Sequence, residues 1–195
     1  MAFHPPRFDH PLDLGTVLSA LPKGASVKGL YFAALTRAVR AAGHPLPLPE
    51  ISERRYVPFL NYPYADYTRL LFESAPLVAP RTPVGEGLRR LGQAAYSAFL
   101  DTNAGRVVFG AFSDQFDLVM SVAPRGWEIG LTFGKVRSER IGPAHYRLHF
   151  EDMPAMLETH QVGVVEGAMK LCGVRGEVLV DILAIDRAIL DVQWG

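Results

Sequence analysis

Two hydrophobic rhythms run along the chain. In the first two-thirds apolar side chains recur at three- and four-residue steps, and from about residue 132 they recur at every second position. Leu12, Leu14, Val17, Leu18 and Leu21 outline a short helix that stops at Pro22-Lys23-Gly24. Tyr31, Ala34, Leu35, Ala38 and Ala42 outline a second, with Gly43 placed to end it. Three prolines between His44 and Pro49 demand a loop. Asn61-Tyr62-Pro63 reads as a helix start, with Asn61 as cap and Pro63 just inside the first turn. Tyr67, Leu70, Leu71, Ser74 and Val78 give that helix its inner face. Arg69 and Glu73 pair outside it, and Pro76 should kink or end it.

Residues 85–101 form the next helix, with Leu88, Leu91, Ala95 and Phe99 inward and Arg90, Gln93, Ser97 and Asp101 outward. Two shorter helices are expected at 105–112 and 114–122, followed by a linker at about 123–131.

The alternation then begins. Tyr146, Leu148 and Phe150 interleave with His145, Arg147 and His149, which predicts a half-buried strand. Thr132 to Ile141 should be its hairpin partner through Gly142-Pro143. A helix from about Pro154 to Cys172 follows, with Leu157, His160, Val164, Ala168 and Leu171 as its stripe and Gly173 as its stop. Glu177 to Ile185 is apolar on both faces, which suits a central strand. The last strand carries Leu190, Val192 and Trp194, reached by a turn at Asp186-Arg187. The prediction is an α+β fold, with an N-terminal helical layer packed on a C-terminal four-stranded antiparallel sheet of ββαββ order. Residues 1–10 read as a flexible arm and 11–195 as one domain, because the sheet's apolar face needs the helices as cover.

Composition narrows the functions. Of 195 residues 49% are apolar and 21% charged, and the formal net charge is zero. Nucleic-acid binders draw affinity from a basic excess, so no nucleic-acid partner is expected. The single cysteine, Cys172, can form neither an internal disulfide nor a multi-cysteine zinc site. Met1 to Pro6 lacks the basic and apolar regions of a signal peptide, and no apolar run is long enough to span a bilayer. A cytoplasmic location is the expectation.

Few residues suggest chemistry. His160 lies on the apolar stripe of the last helix, where an imidazole is costly unless it is bonded. It is either a pocket ligand or a core histidine satisfied by a carbonyl. His145 and His149 stand four residues apart on a strand, or ~13 Å at ~3.3 Å per residue, too far to share one ion. With Arg147 they suggest a solvated basic face. Tyr62, Tyr64 and Tyr67 offer apolar rings with polar tips, for a pocket or for plugging the helix–sheet junction. Gly163 and Gly167 permit a close approach, to the sheet or across a dimer. Phosphate-loop and nucleophile-elbow patterns are absent, so no catalytic residue, no metal ligand and no cofactor is assigned.

Val27-Lys28-Gly29-Leu30-Tyr31-Phe32, the run from Phe59 to Tyr67, Gly163 to Ala168, and Trp194 together resemble a paralogous family of uncharacterised proteins in myxobacteria. That resemblance covers nearly the whole chain and implies no activity. The ββαββ tail with its Gly-x-x-x-Gly-Ala helix also resembles the small-molecule-binding domain of the vinyl-reductase type. More distantly it is similar to haem nitric-oxide-binding domains and to core subunits of transport protein particle complexes. Those likenesses imply a pocket for a ligand or acyl chain, or an assembly module. The haem-binding group's Tyr-x-Ser-x-Arg signature is not matched at Tyr96-Ser97-Ala98.

The expected function is a non-enzymatic small-molecule-binding or sensory module, with an apolar pocket between helices and sheet. Tyr62, Tyr64, Tyr67, His160 and Val164 are the candidate ligand-binding residues, for a small apolar or acyl ligand. The alternative is an interaction or homodimerisation module built on Gly163 and Gly167 and on an exposed sheet edge.

Overall fold

The computed structural model describes residues 2–100 and 115–195, with backbone alone at positions 98 and 99. The helical layer holds α1 (Leu14–Ala20), α2 (Gly29–Ala41), the single-turn α3 (Pro49–Ser52), α4 (Tyr64–Val78), α5 (Val84–Leu100) and α6 (Phe116–Gly130). A small ribbon of β1 (Ser26–Lys28) and β2 (Asn61–Pro63) sits among them. The sheet is built from β3 (Lys135–Gly142), β4 (His145–Glu151), β5 (Gly176–Ala184) and β6 (Arg187–Trp194). Between β4 and β5 a π turn (Leu157–Gln161) leads into α7 (Val162–Leu171). The α+β fold with a four-stranded antiparallel sheet is as the two rhythms predict. The helix expected at 105–112 lies outside the described residues.

The strand order is β3-β4-β6-β5, with every pair antiparallel. The long β5 is therefore an edge strand, not the central one its apolar run predicts. β6 takes the centre, and the excess apolar side chains of the β5 end, Leu183 and Ile185, are 50% and 45% exposed. The free edge of β5 is partly covered by the N-terminal segment. His4 and Val180 exchange both backbone hydrogen bonds, at 3.0 and 2.9 Å, which blunts an edge that would otherwise invite pairing. Phe3 lies under the Arg147 guanidinium and Phe8 under that of Arg89. The segment expected to be a loose arm is thus tied to the sheet and to α5.

Three further expectations change. Asn61 does not cap a helix: residues 61–63 are extended and pair with β1, and the helix starts at Tyr64. The reason is local, since the residue before a proline is pushed out of the helical region. Arg69 pairs with Asp66 at 3.0 Å in place of Glu73. The expected linker at 123–131 is mostly helix, because α6 runs through Pro124 to Gly130. Proline offers no N–H to the carbonyl four residues back. That carbonyl, of Met120, accepts instead from Ser138 Oγ of β3 at 2.8 Å.

One hydrophobic cluster joins both halves, taking in Leu70 and Leu71 of α4, Leu88 of α5, Met120 of α6, Leu148 and Phe150 of β4, and Leu190 and Val192 of β6. Each fully buried large side chain contributes about 1.5–3 kcal/mol. Helices α5 and α7 pack most closely. A Cβ on Gly92 would strike the His160 carbonyl, one on Gly163 the Arg89 carbonyl, and one on Gly167 the Gln93 carbonyl. Arg89 then clamps Glu166 through two bonds of 2.7 and 3.1 Å, and Gln93 adds a third at 2.9 Å.

Candidate functional site

An apolar cavity of about 90 Å³ lies where α2, α4, α5, α6, β4 and α7 meet. Its walls include Val27, Met120, Leu148 and Val165, and its polar atoms come from tyrosines, Trp127, His160 and Gln161. The helical period of α4 places Tyr64 and Tyr67 on the face that looks into it. Tyr31 comes from α2 and touches Tyr67 edge to face.

The π turn decides the rest. Met156 has a left-handed backbone, φ 51°, and its carbonyl accepts from the N–H groups of both Thr159 and Gln161. The widened turn buries two consecutive polar side chains, His160 and Gln161, each only 4% exposed. Such turns often sit at functional sites. Gln161 is held on two sides: its Oε1 accepts from Trp127 Nε1 at 3.0 Å, and its Nε2 donates to the Ala155 carbonyl at 3.2 Å.

His160 Nε2 is buried with no hydrogen-bond partner. Burial pushes its pKa down to about 4, so the ring is neutral at neutral pH. The Tyr67 ring meets it edge to face at 6.4 Å. Burial raises the phenols of Tyr64 and Tyr67, and the nearness of the other phenols raises them further. Both stay protonated. No carboxylate, thiol, lysine or arginine is among the described residues that line the cavity.

Four of the five residues expected to bind a ligand therefore share one cavity: Tyr64, Tyr67, His160 and Val164. Tyr62 does not. Its hydroxyl accepts from Val57 N at 2.9 Å, and its ring packs against Phe32 and Tyr56 in a separate aromatic group. Gly163 and Gly167 face α5, so the close approach is to a helix and not to the sheet or across a dimer. Leu171, expected on the buried stripe, is 47% exposed in the last turn of α7. Trp127 and Gln161 were not among the expected site residues. Trp127 lay in the supposed linker, and a buried glutamine leaves no mark in a hydrophobic pattern.

His145 and His149 sit on the outer face of the sheet and go to different carboxylates. His145 bonds Asp191 at 2.9 Å and His149 bonds Glu139 at 2.7 Å. Arg147 also bonds Asp191, at 2.7 Å, so the face expected to be basic carries its own counter-charges. Among the described residues no group of three His, Cys, Asp or Glu side chains could hold a metal ion, and no helix is long and apolar enough to cross a membrane.

Residues 21–195 match a family described as "Protein of unknown function (DUF2378)". The chain belongs to that family. No curated protein matches it. Solved structures similar to this member of the family are those of H-NOX proteins. One, from S. oneidensis in the Fe(II)NO ligation state, superposes with a TM-score of 0.70 at 16% identity, covering 86% of this chain and 99% of that one. Another, the Fe(II) unliganded H-NOX protein from K. algicida, gives 0.60 at 12% identity, over 86% and 96% of the two chains. At such identities the likeness is one of fold. It bears out the expected similarity to nitric-oxide-binding haem domains at that level.

Proposed function

We propose that this domain is a non-enzymatic sensor that binds a small molecule in the cavity between its helices and its sheet. The observation that carries the reading is the buried, unpartnered Nε2 of His160 on the wall of an otherwise apolar cavity that Tyr64 and Tyr67 also line. Unsatisfied buried polar groups are rare in folded proteins, because each costs about 1–3 kcal/mol. A ligand that satisfies them removes that cost. The fold supports the same reading, since the similar H-NOX structures are described by their ligation states. With no carboxylate or thiol beside it among the described lining residues, His160 has no partner for acid–base or nucleophilic chemistry. The interaction-module reading loses one of its two contact surfaces, because α5 covers Gly163 and Gly167.

Haem, the group that the fold likeness implies, does not fit the residues present. A neutral buried imidazole is the kind of side chain that holds a haem iron, but the remaining features oppose it. The cavity of about 90 Å³ is far below the ~300–1,000 Å³ of pockets that enclose large ligands. No cation among the described lining residues would meet the two propionates of haem. The sheet carries a partial match to Tyr-x-Ser-x-Arg at Val136-Arg137-Ser138-Glu139-Arg140, with valine in place of tyrosine. There Ser138 is spent on the Met120 carbonyl, and Arg140 pairs with Asp117 near the surface at 3.3 Å.

Native mass spectrometry of gently purified protein, together with ¹²⁹Xe NMR, tests the proposal. A copurifying mass, or a saturable xenon shift that disappears when Val164→Trp fills the cavity, is the expected result. Absence of both defeats the reading.

A further inference from the structure

The ring of His160 leaves one of its two nitrogens undetermined until its neighbours are considered. Gln161 settles the matter. Its Oε1 must be the acceptor of the Trp127 N–H, since an indole only donates. Its Nε2 must be a donor, since it meets the Ala155 carbonyl. Two independent contacts thus fix the amide the same way round. The same Nε2 lies 3.4 Å from His160 Nδ1. An amide N–H so placed requires Nδ1 to be the acceptor, although the contact is long. A neutral imidazole carries a single proton, so that proton is on Nε2. The buried atom without a partner is therefore an N–H donor.

Tyr64 and Tyr67 line the same walls. No described lining residue offers a positive charge, and burying an unpaired anion there would be costly. Size sets the last constraint: a cavity of ~150 Å³ takes up benzene or xenon, so one of about 90 Å³ suits a molecule of a few heavy atoms.

Resting on the binding reading above, we infer that the cavity selects a small uncharged molecule with a carbonyl-type oxygen, which accepts the Nε2–H of His160 while its carbon skeleton fills the apolar walls. Trp127 and Gln161 act as positioning residues, because they hold the ring in the donating tautomer. Helix α6, which carries Trp127, is thereby coupled to the ligand through Gln161 and His160.

Three probes of one shape test this on the full chain: butan-2-one, 2-methylbut-1-ene, in which CH₂ replaces the oxygen, and propanoate, in which O⁻ replaces a methyl. Ring ¹⁵N spectra of the free protein should show the proton of His160 on Nε2, and butan-2-one should shift that signal. The ratio of butan-2-one to alkene affinity should fall about fivefold in His160→Phe, the worth of one net hydrogen bond. Propanoate should bind most weakly. A proton on Nδ1, an unchanged ratio in His160→Phe, or propanoate binding more tightly than the ketone overturns the inference. If His160→Phe does not fold, Gln161→Leu serves: releasing Nδ1 should move part of the ring population to the other tautomer, and an unmoved spectrum counts against the lock. Xenon separates the two levels. Xenon uptake without discrimination among the probes leaves the cavity reading and removes this one. No uptake of any probe, with ordered water on His160 Nε2, removes both.

Discussion

On the outer face of the sheet Asp191 accepts from Arg147 at 2.7 Å, from Gln193 at 2.8 Å and from His145 at 2.9 Å. On the inner side His160 keeps a ring nitrogen for which the protein provides no bond, beside Tyr64 and Tyr67. Both regions bury polar groups, and strand β4 serves both, turning His145, Arg147 and His149 outward and Tyr146, Leu148 and Phe150 inward. The contrast shows how to separate a structural polar group from one held ready for a ligand. A closed network already has its partners. An open one points at what is missing.

The largest effect that would break this comparison is on the outer face. Asp191→Ala should cost roughly 3–5 kcal/mol in urea unfolding, because it takes the shared acceptor from His145 and from Arg147, which is stacked on Phe3. A loss under 1 kcal/mol would mean that the network is ordinary surface charge. Its pH dependence has a definite sign. Burial alone would raise the Asp191 carboxyl, but hydrogen bonds from Gln193, Arg147 and His145 outweigh it and hold the group below the usual range. The contribution should be present above the unfolded pKa of about 4 and be lost as pH falls through the lower folded value.

Next is His160. Its folded pKa is depressed to about 4 against an ordinary 6.5. The unfolded chain takes up the proton first, so wild-type stability should decline by roughly 3 kcal/mol as pH falls from 6.5 to 4. In His160→Phe that decline should flatten, as read from unfolding midpoints across the window. Equal slopes would show that the ring titrates as if exposed.

The smallest effects compare two tyrosines. Tyr62→Phe should cost about 1 kcal/mol, since it leaves Val57 N without its acceptor. Tyr67→Phe should cost less, because it keeps the ring and its edge-to-face contacts with Tyr31 and Phe32. A loss as large as that of Tyr62→Phe would show that the Tyr67 hydroxyl has a structural partner.

Much of this was legible in advance. Alternation from Tyr146 to Phe150 predicts β4, and helical spacing brings Tyr67 and His160 to the interior. The two failures at residues 61–63 and 123–131 share a feature: each segment holds a proline whose effect depends on a partner from elsewhere in the fold. Before Pro63 the chain extends because β1 lies alongside to pair with it. At Pro124 the helix continues because Ser138, fourteen residues further on, takes up the freed carbonyl. Neither partner is local, so neither could be weighed from the residues near the proline. The site was half visible for the same reason. Tyrosines and a histidine on apolar stripes draw notice, but whether each hydroxyl or ring nitrogen is satisfied depends on atoms from other elements.

The residue pattern alone determined which segments are helix and which are strand, and which faces are greasy, because periodicity is a property of the chain's own geometry. Tertiary structure decided the strand order that puts β6 at the centre, the π turn that buries His160 beside Gln161, and the hydrogen bonds that fix which nitrogen carries the proton. Those depend on distances between residues far apart in sequence, and a cavity exists only where several elements fail to fill the space they share.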